Sequence, residues 1–223
     1  MKIAEVFYSL QGEGSLVGVP SVFVRTSGCN LRCSWCDTPY TSWRPEGVDM
    51  SVDEVLRAAA QYPTRHVVVT GGEPMISPEI EALTAGLREA DRHITIESAG
   101  TVFKPVMCDL MSISPKLANS TPDGPFAPQH ERLRWQPDVV RKLMARYEYQ
   151  LKFVIAEPGD LAEVRLAVEA VNAPAERVLL MPEGRDRDVL RARSVWLAEI
   201  CKEHGYRMSP RLHVELWGDK RGV

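Results

Sequence analysis

The sequence predicts an α/β fold: an incomplete (β/α)6 TIM-like barrel forming a single domain over residues 1–223. Three observations predict it. Short runs of branched apolar residues alternate with amphipathic stretches, the pattern of a parallel sheet covered by helices. Several of the runs are apolar without alternation, as suits strands buried on both faces. The polar motifs fall where the strands end, and barrel and open α/β enzymes place their chemistry at the carboxyl ends of strands. About six strand–helix units are legible, fewer than the eight of a closed barrel.

The strands are expected at 21–25 (SVFVR), 66–70 (HVVVT), 93–97 (HITIE), 110–114 (LMSIS), 151–155 (LKFVI) and 177–181 (RVLLM). Between them, Ser51 and Glu54 form a capping box ahead of Val55, Leu56 and Ala59. Ser77-Pro78 reads as an N-cap followed by proline at the first helical position, ahead of Ile80, Leu83 and Leu87. Asp160 and Glu163 open a third helix, with Leu161, Val164, Val168 and Val171 at helical spacing. A fourth helix is expected over 186–203. Residues 118–137 hold four prolines and little periodicity, which predicts a long loop.

A net charge of -3 leaves no electrostatic footprint for nucleic acid. No stretch approaches the roughly 18 apolar residues of a membrane span. Glu5, Gln11 and Glu13 interrupt any signal-peptide core, so the expected location is cytoplasmic, where thiols stay reduced. Clustered cysteines there point to metal or redox chemistry rather than disulfides.

Three of the five cysteines lie within eight residues, Cys29, Cys33 and Cys36 in GCNLRCSWCDTPY. A structural zinc site usually has four protein ligands, and neither Cys108 nor Cys201 has the spacing of a second half-site. A [4Fe–4S] cluster on three thiolates leaves one iron open to another ligand. The alternatives are a three-thiolate zinc site completed by a histidine, or unrelated core cysteines. Cys108 and Cys201 are expected to behave as small buried hydrophobes. His66, His93, His130 and His204 are expected as surface or packing residues.

CNLRCSWC resembles the CxxxCxxC signature of the radical S-adenosylmethionine (radical SAM) superfamily, and TGGEP (70–74) resembles its glycine-rich element. More narrowly, SLQGEG (9–14), GVPSVFVR (18–25), GCNLRCSWCDT (28–38), TGGEP, ESAGT (97–101) and SPK (114–116) are similar, in order, to the 7-carboxy-7-deazaguanine synthase family. These elements span the first half of the chain; the second half matches chiefly through His213. The resemblance implies a barrel of the radical SAM type, a homodimer, a [4Fe–4S] cluster, S-adenosyl-L-methionine and magnesium. It also implies a reducing donor of the flavodoxin or ferredoxin kind. The implied substrate is 6-carboxy-5,6,7,8-tetrahydropterin, and the reaction a radical ring contraction with loss of ammonia in 7-deazapurine (queuosine-type) biosynthesis.

Carried onto this chain, the resemblance implies that Cys29, Cys33 and Cys36 hold the cluster and that Thr38 joins the magnesium shell. Trp35, Asp37, Gly72, Glu73, Ser114, Pro115 and Lys116 are expected at S-adenosylmethionine, with Val154, Ile155 and Ala156 packing on adenine unless that stretch is simply core strand. Leu10, Gln11 and Gly12 would offer backbone groups to the pterin edge, Glu13 would accept its N–H groups, and Thr70 would close the same space. Arg25 suits the substrate carboxylate, which a guanidinium binds bidentately. Glu97 and His213 are the titratable candidates for moving protons.

The chain departs from the family in two places. VELWGDKRGV follows His213, where some members end and use their terminal carboxylate, and Met181-Pro182 stands where some have Gln-Pro. Neither contact is carried over. Two rivals share part of the pattern. A glycyl-radical activating enzyme would have the cysteines and TGGEP but not SLQGEG, or CDT beside Arg25. A non-enzymatic module would bind zinc alone.

Overall fold

All six expected strands form, within a nine-stranded sheet, in a computed structural model that describes residues 1–223. The strands are β1 (Lys2–Leu10), β2 (Pro20–Thr26), β3 (Val48–Asp49), β4 (His66–Gly71), β5 (His93–Ser98), β6 (Leu110–Ile113), β7 (Tyr149–Ile155), β8 (Val178–Pro182) and β9 (Arg207–Met208). Their order is β3-β1-β2-β4-β5-β6-β7-β8-β9, with β3 and β9 as the two edges, so the sheet does not close. From β2 through β4 to β9 every neighbour is parallel; β1 and β3 extend the first edge antiparallel. The sequence reading lacks β1, β3 and β9. In β1 the register shifts between Ile3 and Glu5, which breaks any simple alternation. The other two strands, of two residues each, are too short to carry a period.

The helices are α1 (Pro39–Ser42), α2 (Val52–Ala60), α3 (Ile80–Glu89), α4 (Ala127–Arg134), α5 (Pro137–Arg146), α6 (Leu161–Val171), α7 (Arg187–His204) and α8 (Leu212–Trp217). The capping box of α2 is present: Glu54 N donates to Ser51 Oγ at 3.3 Å and Ser51 N to Glu54 Oε2 at 2.8 Å. The expected cap at Ser77 is corrected. Pro74–Ile76 forms a 3-10 turn that ends at Ser77, and α3 begins only at Ile80 with Glu79 in the cap position. The expected loop over 118–137 is corrected too, because it contains α4. That helix buries only His130, so it has no apolar stripe for a periodicity reading to find.

Strand parity decides what faces where. Val22 and Val24, Val67 and Val69, Ile94 and Ile96, Leu151 and Phe153, and Val178 and Leu180 point outward into a core shared with Val55, Leu83, Leu87, Leu143, Val164 and Leu197 of the helices. The alternate residues point inward: Phe23 and Arg25, Thr70, Glu97, Lys152 and Val154 all line the interior cavity. Cys201 belongs to the core and Cys108 packs against it. No helix is long and apolar enough to cross a membrane.

Candidate active site at the carboxyl ends of the strands

The inward residues floor a cavity of about 500 Å³. Loops after β1, β2, β4, β5 and β6 wall it, joined by residues from the last third of the chain.

The loop after β2 brings Cys29, Cys33 and Cys36 to the cavity as free thiols. Backbone contacts set its shape: Gly28 N donates to Thr41 O at 2.8 Å and Glu73 N to Gly28 O at 2.9 Å. Arg32 Nη1 donates to the carbonyls of Cys29 and Leu31, both at 2.7 Å, and Trp43 Nε1 to that of Cys33 at 3.0 Å. Gly72 must be glycine, since a Cβ there would lie 2.1 Å from Gly28 O and 2.8 Å from Cys29 Cβ. Burial pushes the Cys29 thiol up to about 12 and that of Cys33 to about 11. As thiolates they therefore need a positive group among them. Three free thiols brought to one cavity are a donor set that an iron–sulfur cluster, held by Cys thiolates, would use.

Beside the cysteines, Trp35 Nε1 donates to Asn119 O at 3.0 Å, and Asp37 forms an ion pair with Arg211. Thr38 Oγ1 accepts from Thr41 at 3.4 Å and lies 3.9 Å from Cys36 Sγ. Lys116 Nζ donates to Ser114 O at 2.7 Å and Ser114 Oγ at 2.9 Å, and both residues line the cavity. Val154 lines the same space.

Four of the expected cofactor residues lie outside the wall. Pro115 is one. Ile155 faces the core and Ala156 donates its N–H to Asp160 Oδ2 at 2.7 Å. Glu73 is fully buried, and its two oxygens accept from Met75 N at 3.0 Å and Ala99 N at 2.7 Å. It braces the TGGEP turn against the ESAGT turn rather than facing an ammonium. Glu73→Ala should therefore cost about 2–4 kcal/mol of folding stability, for two buried N–H groups left unpaired. Urea unfolding measures it; a loss of cofactor affinity at unchanged stability would restore Glu73 to the site.

The SLQGEG loop enters from β1. Gln11 Nε2 donates to Glu97 Oε1 at 3.0 Å and Thr70 Oγ1 to Glu97 Oε2 at 2.8 Å, so Glu97 is held from both sides. Glu13 pairs with Lys152 and, at 3.2 Å, with Arg211 Nε. Burial alone would raise the Glu13 carboxyl, but these two cations hold it well below the usual carboxylate range. Burial would likewise lower Lys152, but Glu13 and then Glu97 keep it above its ordinary value. The His213 ring lies on Gly12, where a Cβ would come within 2.0 Å of Nδ1. Burial pushes His213 below its ordinary value, so it is neutral at neutral pH. Leu10 completes this wall.

Arg25 is 17% exposed, and its Nε is buried without a hydrogen-bond partner. Glu5 stands 3.9 Å away, too far to serve, and the guanidinium lies 5.6 Å from the Phe7 ring. Residues 218–223 also line the cavity, where Arg221 pairs with Glu46 at 3.0 Å and covers the Tyr40 ring at 3.9 Å.

Lys152 and Arg211 are the site residues absent from the sequence reading. Lys152 had a signal, a charge in the otherwise apolar strand LKFVI. Arg211 had none beyond lying two residues before His213. His130, expected as a surface or packing residue, is buried and accepts from Arg32 N at Nδ1, 3.1 Å, which braces the cysteine loop.

The model of the radical SAM superfamily matches residues 23–134. A Halobacterium salinarum protein named 7-carboxy-7-deazaguanine synthase is 45% identical, over 98% of this chain and 91% of its own. This chain belongs to the 7-carboxy-7-deazaguanine synthase family. A Rhodopirellula baltica synthase of the same name is 43% identical over 99% of this chain and 88% of its own. The structure of QueE from Escherichia coli superposes with a TM-score of 0.70 at 25% identity, covering 95% of this chain and 94% of that one. Streptococcus suis SuiB shares the fold alone, with a TM-score of 0.57 at 14% identity over 83% of this chain and 47% of that one. As a family member the chain is a radical SAM enzyme of 7-deazapurine biosynthesis, with a [4Fe–4S] cluster and S-adenosylmethionine as cofactors and a small-molecule substrate.

Proposed function

We propose that this enzyme converts 6-carboxy-5,6,7,8-tetrahydropterin to 7-carboxy-7-deazaguanine by ring contraction with loss of ammonia, within one radical SAM domain over residues 1–223. The observation that carries the reading is Arg25, whose Nε has no hydrogen-bond partner and which shares one cavity with the three thiols and with the Gln11–Glu97–Thr70 chain. A flat heterocycle bearing a carboxylate needs just such a cation at one end and donors and acceptors along one edge. A volume of about 500 Å³ is that of a small-molecule site. A glycyl-radical activating enzyme would instead admit a protein loop, and residues 218–223 of this chain already line the cavity.

Cys29, Cys33 and Cys36 hold the cluster in this reading. Trp35, Asp37, Gly72, Ser114, Lys116 and Val154 surround S-adenosylmethionine. Held there, the cluster and S-adenosylmethionine would supply the radical chemistry that acts at substrate C6. Leu10, Gln11 and Gly12 orient the pterin edge, and Glu13, kept ionised, accepts its N–H groups. Arg25 takes the carboxylate. Thr70 and Gln11 fix the Glu97 carboxylate, and neutral His213 can accept a proton as ammonia leaves. A flavodoxin- or ferredoxin-like protein is the proposed donor, and a cytoplasmic homodimer the proposed assembly.

Thr38, at the cavity wall, would hold magnesium together with substrate oxygens, where the ion would orient substrate and offset charge. One neutral hydroxyl is a weak ligand on its own. Magnesium and substrate should therefore bind cooperatively. Thr38→Ala should raise the magnesium concentration for half-maximal rate and leave the cluster spectrum unchanged. Unaltered magnesium dependence would place the ion elsewhere.

Arg25→Ala tests the substrate assignment. It should weaken substrate binding by about 2–5 kcal/mol, as for a buried charge pair, and leave slow, substrate-independent cleavage of S-adenosylmethionine intact. Normal substrate affinity, or a first loss in cofactor affinity, would show the assignment to be wrong.

A further inference from the structure

A second polar pocket lies at the opposite end of the barrel. His66 and His93 open β4 and β5 and are paired in register. Their ring centroids are 4.6 Å apart with planes tilted by 39°. Each Nδ1 is buried and has no hydrogen-bond partner. Arg65, Arg88, Arg92 and Asp109 complete the lining of a pocket of about 170 Å³ to which no hydrophobic side chain contributes. The length of β4, about 20 Å for six residues, separates it from the carboxyl end where the reaction takes place, so catalysis does not use it.

Charge decides what such a pocket accepts. Asp109 is already engaged: Oδ2 accepts from Ile94 N at 2.7 Å and Oδ1 pairs with Arg88 Nη2 at 2.8 Å. Arg65 pairs with the exposed Asp91 at 2.7 Å, and Arg92 donates to Thr64 O. A guanidinium has five N–H donors, and each of the three arginines has donors left over. Three cations and two imidazoles thus line the pocket with a single carboxylate, each oxygen of which already has a donor. A metal ion would be repelled. An oxyanion would accept from both orphaned imidazoles and from the spare guanidinium donors, removing the cost of leaving buried polar atoms unpaired. Burial, His93 and Arg65 push His66 below its ordinary pKa, and a neighbouring anion reverses that push.

We infer that this pocket binds a phosphate group, with Nδ1–H donors from His66 and His93 and guanidinium donors from Arg65, Arg88 and Arg92. At about 170 Å³ it takes a phosphate or pyrophosphate group and not a whole nucleotide. The ligand is therefore inorganic phosphate or the phosphate end of a larger molecule whose remainder stays in solvent.

The test is a titration of the anaerobically reconstituted enzyme with inorganic phosphate, at constant ionic strength set by chloride, following the imidazole Cε1–H resonances of the five histidines. Saturable shifts are expected at His66 and His93, with His130, His204 and His213 unmoved. Arg65→Gln/Arg92→Gln keeps the Arg88–Asp109 pair, and so the fold, and should raise the phosphate Kd by about tenfold or more, for lost charge-assisted bonds. A parallel titration with a nucleoside monophosphate separates the sources. Similar affinity at the same two resonances assigns the site to the phosphate end of a larger molecule, and a response to inorganic phosphate alone assigns it to the free ion. Shifts that do not saturate, that spread over all five histidines, or that are equal in the variant and the wild type would overturn the proposal.

Discussion

Cys29→Ala, Cys33→Ala and Cys36→Ala should each abolish the iron–sulfur absorption and all turnover, while Cys108→Ala and Cys201→Ala keep both. The three loop thiols line the cavity, and the other two pack in or against the apolar core on the far side of the sheet. A cluster is held by its thiolates, and burial pushes the Cys29 and Cys33 thiols up, so that these two ionise with the metal group present. Losing one ligand therefore removes the group and, with it, every later step. Iron and sulfide content after anaerobic reconstitution, read beside the visible spectrum, measures the effect. A full four-iron complement in any of the three loop variants would contradict the ligand assignment.

Arg211→Met should have the second largest effect, on stability and catalysis together. Arg211 is 6% exposed and reaches three partners: Glu13 in the substrate loop at 3.2 Å, Asp37 in the cysteine loop, and Gly184 O at 2.6 Å. It is the one side chain that ties the two loops by charge. Removing it leaves Glu13 with Lys152 as its only counter-ion and leaves Asp37 unpaired. Breaking the buried Arg211–Glu13 pair from one side should cost about 3–5 kcal/mol, with little added by Asp37, whose side chain is 43% exposed. Arg211→Lys returns the charge without the forked geometry, so recovery should be partial. Urea unfolding and S-adenosylmethionine affinity, measured on both variants, test the point. A change within about 0.5 kcal/mol would mean that the bridge behaves as an exposed surface pair.

The sequence makes legible what is local. HVVVT and RVLLM are apolar runs that only a doubly covered strand explains, and the Ser51–Glu54 box is written in four residues. The cysteine loop is equally local. The misses are long-range or lack an apolar signature. α4 buries only His130, so nothing in its pattern separates it from a loop. Glu73 looks like a free carboxylate beside two glycines, and only the fold shows Ala99 N–H turned onto it. Glu13 meets Lys152 and Arg211 across 139 and 198 residues of chain, a convergence that no window of sequence contains. Arg25 is legible by type, but its Nε without a hydrogen-bond partner becomes visible only in the packing of Phe7 and Glu5 around it.

The most direct measurement combines the anaerobically reconstituted enzyme with S-adenosylmethionine, a strong reductant, magnesium and 6-carboxy-5,6,7,8-tetrahydropterin, and follows the pterin by mass. The predicted result is a product lighter than the substrate by one ammonia, formed together with the loss of hydrogen from C6. Cleavage of S-adenosylmethionine with the pterin recovered at unchanged mass would contradict the assigned substrate.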